Sequence, residues 1–226
     1  MGEQFCKSNI EFEQKTERVQ EIFMRLADTA MRLARTYRVP RYDRESREND
    51  SEHSLMVSLQ AAAIAAETRP DLDPYEVGFK AIIHELIEIE TLDVQTFNIS
   101  DEDLKAKEQR EDDAIERLCA NLPPFIADLV RTYQLHEDPA SRFVGMIDKT
   151  APVTVDILGP GSMIMHEDYD TFTLDQLQAI HLQLQKRYEK RYPESELKLL
   201  HLAQRGLMRQ FEQVFEPQQF IQDVLF

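Results

Sequence analysis

The sequence predicts an all-α protein, a compact helical bundle with a helical extension at its C-terminal end. Three observations predict this. Apolar residues recur at helical spacing along most of the 226 residues, with few alternating β-branched runs. Only six glycines are present. Capping residues stand at fixed distances ahead of several periodic segments.

The elements follow in order. Val19, Ile22, Phe23, Leu26, Ala30, Leu33 and Tyr37 share one face of a long first helix over Phe12 to Tyr37. Arg38 to Asp50 is polar, contains Pro40 and reads as a loop. Asn49 with Glu52 forms a capping-box pattern, opening a second helix that runs to Glu67. Asp73, Pro74 and Glu76 give a cap, a first-position proline and a first-turn carboxylate for a third helix. That helix carries Val77, Phe79, Ile82, Ile83, Leu86 and Ile87, and places His84 in its middle. Ser100 and Asp103 open a fourth helix, which reaches Leu122 and is stopped by Pro123-Pro124. A fifth spans Pro124 to Leu135, and a sixth Ser141 to Leu158 before the stop Gly159-Pro160-Gly161. Thr173 with Gln176 opens a seventh, ending before Pro193, and an eighth spans Glu194 to Phe215. No internal repeat is present. The expected organisation is a domain over residues 10–158 and an extension over 159–226. The extension, with the apolar tail Phe220 to Phe226, packs on the bundle or builds a homodimer.

Composition narrows the function. With 26 basic against 42 acidic residues the net charge is −16, which repels nucleic acid polymers and anionic membranes. A small phosphate ester remains an acceptable partner if a bound cation or a few arginines offset the field locally. Cys6 and Cys119 form no metal or redox motif and read as reduced thiols. The first fifteen residues lack an apolar run and a cleavage site, and no stretch is long enough to span a bilayer, so the expected location is the cytoplasm.

A histidine taken alone is usually an ordinary surface or core residue, and context singles out two. His53 lies in the first turn of the second helix, in Glu52-His53-Ser54. His84-Glu85 follows the apolar run Ala81-Ile82-Ile83, where a His-acid pair is costly unless compensated. Glu88, Glu90 and Asp93 make the region densely acidic. A solvated helix face is the ordinary explanation, yet Glu85 follows directly on apolar residues and Glu88 sits between Ile87 and Ile89. Crowded carboxylates ask for a cation or a proton. The string His84-Glu85-Leu86-Ile87-Glu88 is not a zinc-protease helix, which needs histidine where Glu88 stands. Asp148 is an acid behind an apolar stretch, alone no more than half of an ion pair.

Taken in order, these residues resemble the HD-domain phosphohydrolase superfamily, and more narrowly its 5′-deoxynucleotidase branch, over about residues 20 to 160. The resemblance implies a divalent metal, manganese or cobalt, held by His53, His84, Glu85 and Asp148. It implies that Glu88 orients or deprotonates the attacking water and that Asp93 holds the sugar or assists the leaving oxygen. Arg41 is the best match to a phosphate-binding arginine, with Arg38 and Arg44 as alternatives. Two positions depart from the pattern: Glu85 replaces the usual aspartate, and Leu92 replaces the glycine usual before the downstream acid. The activity implied is hydrolysis of a nucleoside 5′-monophosphate, deoxy or ribo. The alternatives are another phosphate ester or a nucleoside triphosphate, an oxygen-using diiron enzyme, for which intervening histidines are too few, and a non-catalytic protein with a degenerate His-Glu site.

Overall fold

The structure, a computed structural model, describes residues 2–92, 97 and 99–217. Eleven helices and one small hairpin make up these residues: α1 (Gly2–Leu33), β1 (Tyr37–Arg41), β2 (Arg47–Asn49), α2 (Asp50–Thr68), α3 (Pro74–Ile83), α4 (Glu88–Thr91), α5 (Asp101–Ala120), α6 (Pro124–Leu135), α7 (Pro139–Asp148), α8 (Ala151–Leu158), α9 (Gly161–Tyr169), α10 (Leu174–Arg191) and α11 (Glu194–Val214). The all-α class holds. The tail from residue 218 onward lies outside the described residues.

The caps act as their spacing predicts. Asn49 Oδ1 accepts from the Ser51 and Glu52 backbone N–H groups, and Glu52 accepts in return from the Asn49 N–H. Asp73 caps α3, Ser100 caps α5, and Thr173 with Gln176 boxes α10. Each such cap satisfies a helix-end N–H, a contribution of about 1 kcal/mol.

Four expectations need correction. The polar segment after α1 is an antiparallel hairpin rather than a loop, pairing Tyr37 with Asn49 and Arg41 with Arg47. Backbone bonds and an Asp43 carboxylate accepting from Glu45 N and Ser46 N hold it, so no apolar alternation announces it. The third helix stops at Ile83 instead of running through His84. His84 Nδ1 takes the Ala81 carbonyl at 2.6 Å, the group that a continued helix would offer to the Glu85 N–H. Tight three-residue turns follow, with Leu86 N bonding Ile83 O and Glu88 N bonding Glu85 O. The sixth helix is two helices, α7 and α8, because Pro152 has no N–H and its ring would meet the Asp148 carbonyl. Finally, α9 stands where the sequence showed only a stop.

A single apolar core runs through α2, α3, α5, α6, α7, α10 and α11. Phe143, Met146, Tyr192 and Phe211 are among its largest fully buried side chains. α2 and α3 pack closely, with Ser58 Oγ donating to Gly78 O at 2.9 Å. Helix α1 joins this body near its C-terminal end through buried Leu33 and an Arg32–Glu90 pair at 2.9 Å, while Val19 and Phe23 remain exposed. The segments after residue 158 pack on the earlier helices: Gln204 Nε2 donates to Lys149 O, and Tyr192 covers Gly145 on α7.

Two positions carry testable consequences. A Cβ on Gly145 would lie 2.7 Å from the Tyr192 hydroxyl and 2.8 Å from its ring, and Tyr192 is buried on all sides. Gly145→Ala therefore costs about 1–3 kcal/mol through overpacking, despite alanine's better helix propensity; urea denaturation that finds it as stable as wild type would show that Tyr192 moves aside freely. Leu92, the α4 C-cap, has φ 60° and ψ 140°, a conformation natural to glycine. Leu92→Gly is expected to raise stability by about 1 kcal/mol, read as a higher urea midpoint with an unchanged slope.

Candidate metal centre

Three helix ends converge. His53 is in the first turn of α2, His84 caps α3 with Glu85 next to it, and Asp148 is the last residue of α7. One donor atom from each lies within 4.8 Å of all the others. His53 Nε2 is 2.9 Å from Asp148 Oδ1 and 3.5 Å from Glu85 Oε1. His84 Nε2 is 3.3 Å from Glu85 Oε1 and 3.5 Å from Asp148 Oδ1. All four residues are buried.

The hydrogen bonds fix what these atoms offer. A carbonyl has no proton to give, so His84 Nδ1 donates to Ala81 O, and Nε2 faces the carboxylates with no hydrogen-bond partner. His53 Nδ1 points at Glu48 Oε2, 3.4 Å away, and Glu48 is fully buried. The two make no hydrogen bond, and Nε2 lies 2.9 Å from Asp148 Oδ1; an acid on the Nδ1 side favours the tautomer that leaves Nε2 as the ligand atom. Two imidazoles and two carboxylates facing inward form a donor set that a divalent transition-metal ion fits. The four residues could hold such an ion.

Charge around the centre is arranged to keep the acids ionised. Burial alone would raise Glu85, but the Arg38 guanidinium and the His84 ring hold it well below the usual carboxylate range. Burial works against Asp148 too, and Lys149, His53 and His84 bring it well down. Lys149 Nζ donates to Asp148 Oδ2 at 2.6 Å, and Arg38 donates to Glu85. The His84 ring shows the complement: burial disfavours its cation, yet Glu85 and Asp148 push it up to about 10. The pocket calls for positive charge at Nε2.

Of the other expected residues, Glu88 is buried on the cleft wall, accepting from Lys107 Nζ at 2.6 Å and Thr91 Oγ1 at 3.0 Å. Asp93 lies outside the described residues. Arg41 does not reach the centre: its guanidinium is taken by Glu167 and Asp168, at 3.2 and 2.7 Å. Arg44 is exposed in the hairpin turn. Arg38, on the same strand as Arg41, is the arginine that faces the centre. Glu48 carries no local signal in the sequence, because it lies in a polar hairpin without apolar alternation.

A family model for the HD domain matches residues 30–199. The chain belongs to the HD-domain family. The HD match runs past residue 158 through α10 into α11, and thus includes α10, which lines the cleft beside the centre. The fold is also similar to the crystal structure of a predicted metal-dependent phosphohydrolase from Magnetospirillum magnetotacticum MS-1, at 23% identity and TM-score 0.66, covering 88% of this chain and 96% of that one. No curated protein matches the chain. Within this HD domain the adjacent His-acid pair is His84-Glu85, and the longer acid still brings Oε1 to 3.3 Å from His84 Nε2.

The centre opens on a cleft of about 870 Å3 that also meets α5, α6 and α10. Behind it a small cavity of about 80 Å3 reaches Asp156 on α8. Burial, then the Glu48 charge, pushes Asp156 from an ordinary 3.8 up to about 7. The folded state therefore holds this proton more tightly than the unfolded chain does. The stability it confers is complete below about pH 4 and is lost as pH rises to about 7. Asp156→Asn is expected to match wild type at pH 4 and to exceed it at pH 8 by a few kcal/mol, at about 1.4 kcal/mol per pKa unit. Parallel melting curves at both pH values test this, and a constant difference between them would count against a titrating Asp156.

Proposed function

We propose that this HD-domain protein is a metal-dependent phosphohydrolase that releases phosphate from a nucleoside 5′-monophosphate. The observation that carries the proposal is the buried four-donor cluster opening directly on a cation-lined cleft. The relative named above is described as a predicted metal-dependent phosphohydrolase, and the motif order supports the nucleotidase branch. His53, His84, Glu85 and Asp148 are the proposed ligands, and manganese or cobalt the proposed ion. When bound, such an ion lowers the pKa of a coordinated water and polarises a phosphoryl oxygen.

The protein's own groups take the remaining roles. Glu88 holds the attacking water by accepting its hydrogen bond, and Lys107 fixes that carboxylate in place. Arg38 and Lys149, which already flank the two acids, meet the negative charge of the phosphate. Arg38 thus takes the part first expected of Arg41. Asp93 keeps its proposed role at the sugar or the leaving oxygen. Among the described residues no helix is long and apolar enough to cross a membrane, which fits a small dissolved substrate.

A panel of 5′-mononucleotides, with manganese or cobalt added and a chelator control, tests the reading. Phosphate release should depend on the metal. His84→Ala should lose metal, measured by elemental analysis, and lower turnover at least about 100-fold. A His84→Ala protein with full activity, or a wild type that takes up no metal, sinks the proposal.

A further inference from the structure

The cleft carries positive charge that the four-donor centre does not use. Eight of the chain's 26 basic residues line it, but only five of its 42 acidic ones. Four of the eight are engaged with those acids: Arg38 with Glu85, Lys149 with Asp148, Lys107 with Glu88 and Glu111, and Arg191 with Glu108. Arg187 donates to the Ile99 carbonyl at 3.0 Å. Lys105, Lys186 and Lys190 remain, exposed and without an ion pair among the described residues.

Their placement is specific. Lys186 and Lys190 are four apart on α10, so they stand on one face about 6 Å apart along the axis. Like charges at that spacing repel. Lys105, on α5, lines the same cleft. The Arg191–Glu108 pair at 2.7 Å and the Arg187–Ile99 bond tie α10 to α5 and its approach, so the walls are held while the lysines stay free. The cleft of about 870 Å3 is near the upper end for small-molecule sites, roughly 300–1,000 Å3. It has room for more than one phosphate and one nucleoside.

We infer that Lys105, Lys186 and Lys190 form a second phosphate-binding site, so that the favoured ligand carries a further phosphate beside the one presented to the four-donor centre, in place of the plain 5′-monophosphate proposed above. What happens to that ligand rests on the phosphohydrolase reading; that it binds does not. The second phosphate could be borne on the sugar, as in a nucleoside 3′,5′-bisphosphate, or in a chain, as in a nucleoside triphosphate. Both present the same chemistry to the lysines.

Two readouts separate this site from the reaction. First, inorganic tripolyphosphate is titrated into metal-free protein by calorimetry. Lys186→Ala/Lys190→Ala should bind it roughly tenfold more weakly or worse. Lys15→Ala/Lys198→Ala, with the same change in net charge away from the cleft, should bind like wild type. Equal losses in both, or no binding by wild type, overturn the site. Second, manganese-loaded protein is given the 5′-monophosphate, the 5′-triphosphate and the 3′,5′-bisphosphate of one nucleoside. Wild type should prefer one of the two substrates that bear more than one phosphate, and the cleft variant should lose at least about tenfold more kcat/KM on it than on the monophosphate. A wild-type preference for the monophosphate over both overturns the inference and leaves the phosphohydrolase reading intact. No release from any substrate, with tripolyphosphate binding as expected, removes the phosphohydrolase reading and keeps the site.

Discussion

Two imidazole nitrogens and two carboxylates are buried face to face, with donor atoms within 4.8 Å of one another. Isolated ions in such a place would be very costly, so their neighbours must supply charge and hydrogen bonds. Arg38 and Lys149 each take one carboxylate, and Glu48 backs one histidine. The hairpin exists in large part to serve this need: β1 delivers Arg38, β2 delivers Glu48, and Asp50 N bonds Thr36 O where the strand leads into α2. Three helix ends and one hairpin are thus fixed around one group of polar atoms that has no stable arrangement without them.

The breaks in the helices follow from the same constraint. A residue in mid-helix has its carbonyl and N–H committed to the ladder and its side chain crowded by neighbouring turns. At a helix end the side chain can turn inward. His84 gains this freedom by taking the Ala81 carbonyl for its own ring. Asp148 gains it from Pro152, which ends α7 just after it. Leu92 ends α4 in a conformation unfavourable for leucine.

This explains how far the sequence could be read. Helices whose ends are set by side-chain caps, such as α2 at Asn49 and α10 at Thr173, were legible because capping acts within four residues. The four clustered residues could be picked out because their order resembles the HD-domain pattern, since His53 in Ser51-Glu52-His53-Ser54 interrupts no apolar run. What escaped was set at longer range or by single backbone groups. The hairpin has no apolar alternation, and Glu48 was hidden with it. Pro152 was visible but was read as helix interior. The choice between Arg38 and Arg41 could not be made from a segment whose strand pairing was unknown; in the hairpin, Arg41 is drawn to Glu167 and Asp168 on α9, an element the reading did not contain.

The charge balance gives the cleft its character. A chain of net charge −16 repels anions at long range. Within roughly a Debye length, about 8 Å at physiological salt, local groups dominate instead. The basic residues of α10 are therefore worth more inside the cleft than their share of the total suggests. They line the cleft beside the centre, where Tyr192, just past the end of α10, is buried against Gly145 on the helix that ends in Asp148. One packing contact thus couples the wall that carries the cations to the helix that carries a donor. The late helices belong to the same physical unit as the centre, since loosening that contact would disturb the cleft wall and the Asp148 helix together.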